Sequence, residues 1–328
     1  MGNRQTALRE AFVTTHRKRG GNMKHLLCLS EWTPEAIGET LDMADRLKSE
    51  LRNGIPHNHL LQGKTLGLIF TKSSTRTRVS FEVGMVQLGG YPLFLSANDI
   101  QLGRGETVAD TAKTLSRYLD GIMIRTFKQS DVEDLARYGS IPIINGLTDL
   151  QHPCQILADL QTIREHKGTL AGLKLAYVGD GNNVANSLLI GCAKMGMHIA
   201  VAFPMGFEPD AASVRCAQSA AQSAGGSVTL TQSAAEAVLG ADVVYTDTWV
   251  SMGQEAEKAE RVTQFDGFQV NAALMAMAKP DAIFMHCLPA YRGYEVSEDV
   301  IDGPQSVVFD EAENRLHAQK AVMVRLLG

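Results

Sequence analysis

The sequence lacks the features that mark several classes of protein. Its five cysteines include no Cys-x-x-Cys pair, and their odd number argues against a disulfide framework or a structural zinc site. We therefore expect a reducing, cytoplasmic environment. The nearest candidate for a transmembrane helix, residues 187–207, contains Lys194 and His198, so we expect no membrane partner.

Charge and composition argue against further classes. A formal net charge of −5 over 328 residues disfavours nucleic acid as a partner, although local basic clusters can bind small anions. Apolar residues make up 45% and charged residues 20% of the chain, which is ordinary for globular proteins and argues against disorder or a fibrous chain. Because a single core rarely exceeds about 250–300 residues, the length predicts two domains.

The first residues of the sequence are unusually basic. Glu10 is the acidic residue among them, against Arg4, Arg9, Arg17, Lys18 and Arg19. We interpret residues 1–23 as a disordered basic leader, with Met23 as a candidate start. A targeting peptide is the alternative, although the segment has no apolar region of the kind that secretion signals need.

Strand-like and helix-like patterns alternate along most of the chain. Segment 107–119, for example, carries Val108, Ala112, Leu115 and Leu119 on one helical face. Apolar, β-rich runs are found at 65–71, 121–126, 141–145, 174–179, 198–203, 228–231, 242–246, 282–286 and 307–309. The alternation predicts the α/β class, with two doubly wound parallel-sheet domains joined by bridging helices.

The element signals also place the domain boundaries. Thr33 and Pro34 are suited to the cap and first position of the first helix, and a helix that starts near His152 should bridge two sheets. We expect domains at 24–150 and 151–308, followed by a C-terminal helix at 309–328 that packs back on the first domain.

The sharpest local signal is the segment 70–78, Phe-Thr-Lys-Ser-Ser-Thr-Arg-Thr-Arg, between an apolar strand and a helix. A helix N-terminus offers unpaired backbone N–H groups and a partial positive charge to an anion. Segment 70–78 lacks the glycine spacing of a nucleotide-binding loop. A capped helix with solvated arginines is the alternative, and Arg78 can pair with Glu82. The candidate anion-binding side chains are Ser74, Thr75, Arg76 and Thr77.

Two further polar groups follow apolar strands. Arg125 ends the run 121–125, and the C-terminal ends of parallel strands are where open α/β sheets bind ligands. His152 and Gln155 lie three residues apart at a helix start, so they can point the same way. The alternatives are that Arg125 is an ordinary strand-end arginine and that His152 only caps a helix. We interpret Cys154 as a small packing residue.

The segment Ser-Thr-Arg-Thr-Arg after a strand resembles the carbamoyl phosphate loop of the aspartate and ornithine carbamoyltransferases. The remaining motifs follow in that family's order from about Leu26 to the C-terminus. The resemblance implies a carbamoyl phosphate-binding first domain and an ornithine-binding second domain. The implied carbamoyl phosphate contacts are Ser74, Thr75, Arg76, Thr77, Gln101, Arg125, His152, Gln155, Cys287, Leu288 and Arg315.

Two motifs of the second half bear on the acceptor amine. Residues 247–253, Asp-Thr-Trp-Val-Ser-Met-Gly, resemble the ornithine-type loop, in which a carboxylate suits an ammonium group. Residues 286–289 resemble the family's His-Cys-Leu-Pro motif, where Cys287 would lie near the reacting amine. The alternatives are that residues 247–253 form a surface turn and that Cys287 is a buried structural cysteine. The implied ornithine contacts are Asn183, Asp247, Ser251 and Met252, and the implied catalytic residues are Arg125, His152, Asp247 and Cys287.

Other assignments at these positions remain open. Asn183 at a helix start could be an N-cap, and Gln101 an ordinary loop residue. Gly179 and Gly181 mimic the start of a dinucleotide fingerprint, but Val184 holds the place of its third glycine. His286 has no partner at metal-ligand spacing, so a structural role is favoured.

The resemblance implies direct acyl transfer from carbamoyl phosphate to the side-chain amine of L-ornithine, which gives L-citrulline and phosphate. No metal or organic cofactor is expected, and the family forms homotrimers or multiples of trimers. Three rival functions are a carbamoyltransferase for another amine such as putrescine, a nicotinamide-dependent oxidoreductase, and a non-catalytic protein on the same fold.

Overall fold

A computed structural model describes residues 24–96, 100–101, 105–250 and 258–328. The chain divides into two compact units. The first unit contains the described residues up to Gln161 together with Asn314–Gly328, and the second unit is Thr162–Glu313. Among the helices of the described segments, none is both long and apolar enough to cross a bilayer.

The first unit is built on a four-stranded parallel sheet. Its strands are β1 (Thr65–Phe70), β2 (Tyr91–Ser96), β3 (Gly121–Arg125) and β4 (Ile143–Leu147). Their order is β2-β1-β3-β4, so the chain adds a strand on one side of β1 and then continues on the other. The helices that begin in this unit are α1 (Pro34–Arg52), α2 (Thr75–Gln87), α3 (Val108–Leu115), α4 (Gln129–Tyr138) and α5 (Pro153–Lys167).

The second unit repeats the plan with a five-stranded parallel sheet. Its strands are β5 (Lys174–Val178), β6 (His198–Ala202), β7 (Ser227–Thr231), β8 (Val243–Thr246) and β9 (Ile283–Met285). The order is β7-β6-β5-β8-β9, which again reverses direction at the first strand. The helices that begin in this unit are α6 (Asn183–Lys194), α7 (Ala211–Ala224), α8 (Ala234–Val238), α9 (Lys258–Gln264), α10 (Ala272–Met275), α11 (Glu298–Ile301) and α12 (Val308–Leu327), and α12 continues into the first unit from Asn314.

The central strands of both sheets are buried because helices cover parallel strands on both faces, whereas the edge strands β2 and β7 are partly exposed. Strands β3 and β4 are buried at every position. Ile69, Ile122 and Ile124 belong to the core of the first unit. Val244 and Phe284 belong to the core of the second. In each sheet, the point where strand order reverses lies beside the first strand, and ligands bind at the carboxyl ends of strands at such a point.

The predicted fold class is confirmed, and the predicted start of the first helix is confirmed with Thr33 as its cap. The strand predicted at 307–309 is wrong, because Val308 begins α12. Three apolar residues cannot distinguish a strand from a helix, and Asp310 and Glu311 favour a helix N-terminus.

The sequence reading overlooked one strand and misplaced one helix. Pro92 in β2 disguises this edge strand, because proline cannot donate to a sheet ladder. The helix expected after segment 70–78 begins inside that segment, at Thr75, with Ser74 as its cap. The earlier start puts Thr75, Arg76 and Thr77 in the first turn. The units divide within α5, after Gln161, which is 11 residues beyond the boundary at 150 expected from the sequence.

Candidate active site

The first cluster of candidate residues forms where β1 ends and α2 begins. Ser74 Oγ accepts a hydrogen bond from Thr77 N at 3.2 Å and so caps the helix. The first-turn N–H groups and the helix dipole create a positive potential for an anion. Register places Phe70 beside Arg125, whose carbonyl accepts from Thr71 N at 3.0 Å. The strand-end arginine is therefore a neighbour of the loop.

His152 shows that the predicted cationic residues converge. It is 5% exposed, and burial lowers the pKa of its imidazole well below the usual 6.5. The charges of Arg315, Arg125 and Arg76 lower the pKa further, in that order of effect. Only arginines close to the ring can do this. The structure thus brings together arginines from three separate segments around one neutral histidine.

Gln155 and Arg315 join the same cluster. Arg315 Nη1 donates to Gln155 Oε1 at 2.5 Å, and Nη2 donates to Thr77 Oγ1 at 3.2 Å. Gln155 Nε2 donates to Asp159 Oδ1 at 2.8 Å, which fixes the amide with its oxygen towards the guanidinium. Arg315, Gln155 and Thr77 are almost completely buried.

Cys154 and Gln101 are two other residues of the first unit that the sequence singled out. Burial raises the pKa of Cys154 to about 12, and its Sγ donates to Asn145 O at 3.3 Å, so it is a packed thiol and not a nucleophile. Gln101 is exposed, and the residues on either side of it at 97–99 and 102–104 lie outside the described segments. The described residues therefore do not bring Gln101 into the cluster.

The second cluster surrounds Asp247, just after β8. Its Oδ2 accepts from Asn182 Nδ2 at 2.8 Å. Its Oδ1 accepts from Thr248 N at 2.8 Å and from Cys287 Sγ at 3.1 Å. These donors fix the orientation of a carboxylate that is 7% exposed. A carboxylate and a thiol at this distance can bind an ammonium group and exchange a proton with it.

The structure describes Asp247 and Asn183 among the four predicted ornithine contacts. Asn183 is the first residue of α6, but the cap is Asn182, whose Oδ1 accepts from Val184 N at 2.9 Å and Ala185 N at 3.2 Å. Sequence reasoning overlooked Asn182, although an asparagine before a helix is a cap signal. Ser251 and Met252 lie outside the described residues.

His286 tests whether the second cluster could bind a metal. Ligand atoms of Asp247, His286 and Cys287 lie within 4.8 Å of one another, which is a metal-like grouping. His286 Nδ1, however, accepts from Leu288 N at 2.9 Å, and Nε2 faces Glu295 Oε1 at 3.3 Å. Since both ring nitrogens are engaged, His286 has no lone pair to offer a metal. It positions the backbone of Leu288 instead, which fits a structural role.

Arg261 is a further residue that the sequence did not signal. Its Nη1 donates to Asp180 Oδ2 at 2.8 Å and to Trp249 O at 3.0 Å. Asp180 precedes Asn182, and Trp249 follows Asp247 in the next loop. One guanidinium therefore ties together the two loops that orient the Asp247 carboxylate. An arginine in a short helix carries no motif, so only the fold reveals this contact.

The glycine pair of the second unit does not form a dinucleotide site. Gly181 N donates to Phe207 O at 2.9 Å. A Cβ at Gly181 would lie 2.3 Å from Pro209 N and 2.4 Å from the carbonyl carbon of Glu208. The space beside this glycine is thus filled by the protein's own backbone, and not left for a pyrophosphate.

Fold and clusters together define a two-unit parallel α/β protein with an arginine-rich anion site in one unit and a carboxylate–thiol pair in the other. Family models for the aspartate/ornithine carbamoyltransferases match both parts. The carbamoyl-P binding domain matches residues 24–165, and the Asp/Orn binding domain matches residues 171–326. The chain belongs to the aspartate/ornithine carbamoyltransferase family, so the resemblance is confirmed.

Similar proteins cover nearly the whole chain. The ornithine carbamoyltransferase of Caldicellulosiruptor saccharolyticus is 62% identical over 302 residues, which is 92% of this chain and 98% of the relative. That of Carboxydothermus hydrogenoformans is 61% identical, covering 93% and 98%. The solved ornithine carbamoyltransferase of Pyrococcus furiosus superposes with a TM-score of 0.91 at 57% identity, covering 93% of this chain and 97% of that one.

Proposed function

We propose that this protein is an ornithine carbamoyltransferase, which transfers the carbamoyl group of carbamoyl phosphate to the side-chain amine of L-ornithine. The observation that carries the proposal is the convergence of Arg76, Arg125 and Arg315 on the buried His152. A small, doubly charged acyl phosphate matches this set of donors. The names of the similar proteins support the same activity.

The first unit accounts for the donor substrate. The α2 N-terminus and the guanidinium of Arg76 bind the phosphate, while Arg125, His152 and Thr77 donate to the carbamoyl oxygen. Negative charge grows on that oxygen when the amine attacks, and one well-placed donor is worth roughly 3–4 kcal/mol. Because its pKa is lowered, His152 donates as a neutral imidazole near pH 7. Ser74, Thr75, Gln101, Gln155 and Arg315 complete the contacts that this unit is proposed to make with carbamoyl phosphate. Cys287 and Leu288 are the further contacts that the resemblance implies.

The second unit accounts for the acceptor amine. Asp247 attracts the ammonium group, and the Cys287 thiol lies 3.1 Å from its Oδ1. An alkylamine has a pKa near 10.4, so only about one molecule in 10³ is nucleophilic at neutral pH. The neutral amine forms the new C–N bond, and the bond between the carbamoyl carbon and the phosphate oxygen breaks. Phosphate then leaves. The proton that the amine loses is taken up either by the departing phosphate or by the Asp247–Cys287 pair. Asn183, Ser251 and Met252 are proposed to bind the amino-acid end of ornithine.

An assay with a panel of amine acceptors tests the proposed substrate. Carbamoyl phosphate is supplied with L-ornithine, putrescine or L-aspartate, and the ureido product is measured colorimetrically. We expect citrulline from ornithine, with a rate that rises with pH until the bound amine is neutral. If carbamoylputrescine were the main product, the proposed acceptor would be a diamine and not ornithine. A rate that does not depend on pH would contradict attack by the neutral amine.

We propose that the protein acts as a homotrimer or a multiple of trimers. Val79, Val83 and Val86 support this proposal, because they lie on one face of α2 and are 51%, 40% and 60% exposed. Light scattering after gel filtration measures the assembly. We expect Val83→Glu to dissociate it and Leu239→Glu, at a 62% exposed position of the second unit, to leave it intact. A monomeric unaltered chain would contradict the proposal.

A cytoplasmic location is part of the same proposal. All five cysteines are free thiols, which suits a reducing compartment. Substrate binding needs no nucleic acid or membrane partner. Fractionation of cells that express the intact chain tests the location.

A further inference from the structure

Gln319 is a fully buried residue of α12 that contacts Arg315, one of the arginines around His152 in the first unit. Its amide lies 2.6 Å from Ser80 Oγ. Ser80 has a single hydroxyl proton, and it donates that proton to Arg76 O at 2.7 Å, because a carbonyl can only accept. Ser80 must therefore accept from Gln319, so the amide nitrogen of Gln319 faces the serine.

This orientation determines what the other end of the amide does. Gln319 Oε1 accepts from Arg315 Nη2 at 3.0 Å and from Arg315 Nε at 3.1 Å. Arg315 also donates to Gln155 and Thr77. The plane of the guanidinium is thus fixed by three side chains, and Gln319 is the one that binds its Nε edge. A continuous chain of hydrogen bonds runs from the carbonyl of Arg76, through Ser80 and Gln319, to Arg315.

Close helix packing keeps Gln319 in this position. A Cβ at Gly84 of α2 would lie 3.0 Å from Met323 Cε and 3.2 Å from Lys320 Cγ, so the two helices approach closely one turn after Ser80. Lys320 Nζ also donates to Gln87 Oε1 at 2.9 Å, near the end of α2. The amide has little freedom to rotate away from Ser80 and Arg315.

We infer that Gln319 is a positioning residue of the carbamoyl phosphate site, which orients Arg315 and couples it through Ser80 to the turn that carries Arg76. The inference rests on the proposed function. An arginine side chain loses considerable rotamer freedom when it is ordered. A buried acceptor that orders it in advance lowers the cost of binding phosphate. Gln319 does not touch the substrate and acts through Arg315.

The test replaces Gln319 by leucine, which keeps the volume and removes the amide. We expect Gln319→Leu to raise the KM for carbamoyl phosphate about tenfold and to leave the KM for ornithine within about twofold. The Kd of inorganic phosphate, measured calorimetrically, should rise in parallel. The matched control is Gln161→Leu, at a fully buried glutamine of the same unit that donates to Asp45 at 3.0 Å, and it should change none of these constants.

A double variant separates positioning from general disruption. Ser80→Ala should weaken carbamoyl phosphate binding about threefold, and adding it to Gln319→Leu should have no further effect, because both variants break one chain of hydrogen bonds. Equal rises in both KM values, an unchanged KM for carbamoyl phosphate, or additive effects would overturn the inference. If the unaltered protein forms no citrulline, the proposed function fails, and the phosphate Kd values alone then decide the inference.

Discussion

At the level of single side chains, Arg125 illustrates how position confers a role. It is a strand-end arginine on a buried strand, 8% exposed and close enough to His152 to lower the pKa of its ring. A cation buried this far is costly unless it meets an anion or hydrogen-bond acceptors. Carbamoyl phosphate, the proposed ligand, would provide both. The cost of burying the arginine is therefore consistent with a role in binding the reacting acyl group.

Replacement of Arg125 should nearly abolish turnover without unfolding the protein. We expect Arg125→Ala to lower kcat by about 10²–10³, because one donor to the developing oxyanion is lost. Steady-state kinetics measures this loss, and circular dichroism reports the fold. Arg137→Ala, at an exposed arginine of α4, is the control and should behave like the unaltered chain. Unchanged turnover in Arg125→Ala would remove this residue from the mechanism.

The motif residues and their supporting residues differ in how visible they are in the sequence. Arg76, His152 and Cys287 belong to short motifs whose residue types suit the chemistry. Asn182, Arg261 and Gln319 carry equally direct contacts but belong to no motif, because an amide or a guanidinium at an ordinary helical position has many uses. Their partners lie 65, 81 and 239 residues away in sequence, and only folding brings them together.

Among the secondary-structure elements, α2 and α12 show how two helices can build one site. Gly84 permits their close approach, whereas a Cβ at Gly38 in α1 would meet no other element within 4 Å. We expect Gly84→Val to destabilise the protein by about 1–3 kcal/mol through overpacking. Gly38→Ala should stabilise it by about 0.5–1 kcal/mol, since alanine favours helices. Urea unfolding of both variants measures the difference, and equal effects would contradict close packing at Gly84.

The loops after β5 and β8 form a second pair of cooperating elements. Arg261 joins them through Asp180 and the carbonyl of Trp249. We expect Arg261→Gln to raise the KM for ornithine about tenfold, because the Asp247 carboxylate loses its fixed orientation. The KM for carbamoyl phosphate should change far less, since the arginine cluster that is proposed to bind it belongs to the first unit. Arg261→Lys should recover part of the affinity, and a rise in both KM values would show a general loss of structure instead.

For the whole molecule, one buried and one half-buried histidine predict acid sensitivity. Burial lowers the pKa of His152 well below 6.5, and that of His25 to about 4. Below pH 6.5 the unfolded chain therefore binds protons that the folded chain does not, so the free energy of unfolding falls as the pH drops from 6.5 towards 4. This contribution is fully present above pH 6.5. His25→Gln should make the decline shallower in urea titrations at several pH values, and an unchanged slope would contradict the assignment.

Sequence patterns predicted the alternation of strands and helices, the α/β class and a helix at the end of segment 70–78, because these features follow from local periodicity and capping. They failed at β2, where Pro92 conceals an edge strand, and at 307–309, where three apolar residues fit either element. Strand order and element boundaries depend on pairing with distant segments, which local patterns do not record.

The order of amino acids alone specifies which chemical groups this protein has. They are a helix N-terminus with hydroxyls and an arginine, a histidine before a helix, and a carboxylate and a cysteine after strands. What those residues do together depended on folding. Parallel strands place their carboxyl ends at one edge, which gathers Arg76, Arg125 and His152, while helix packing adds Arg315 and Gln319 from the far end of the chain. Residue types are local information, but distances between segments arise only when a core excludes water and fixes the elements against one another.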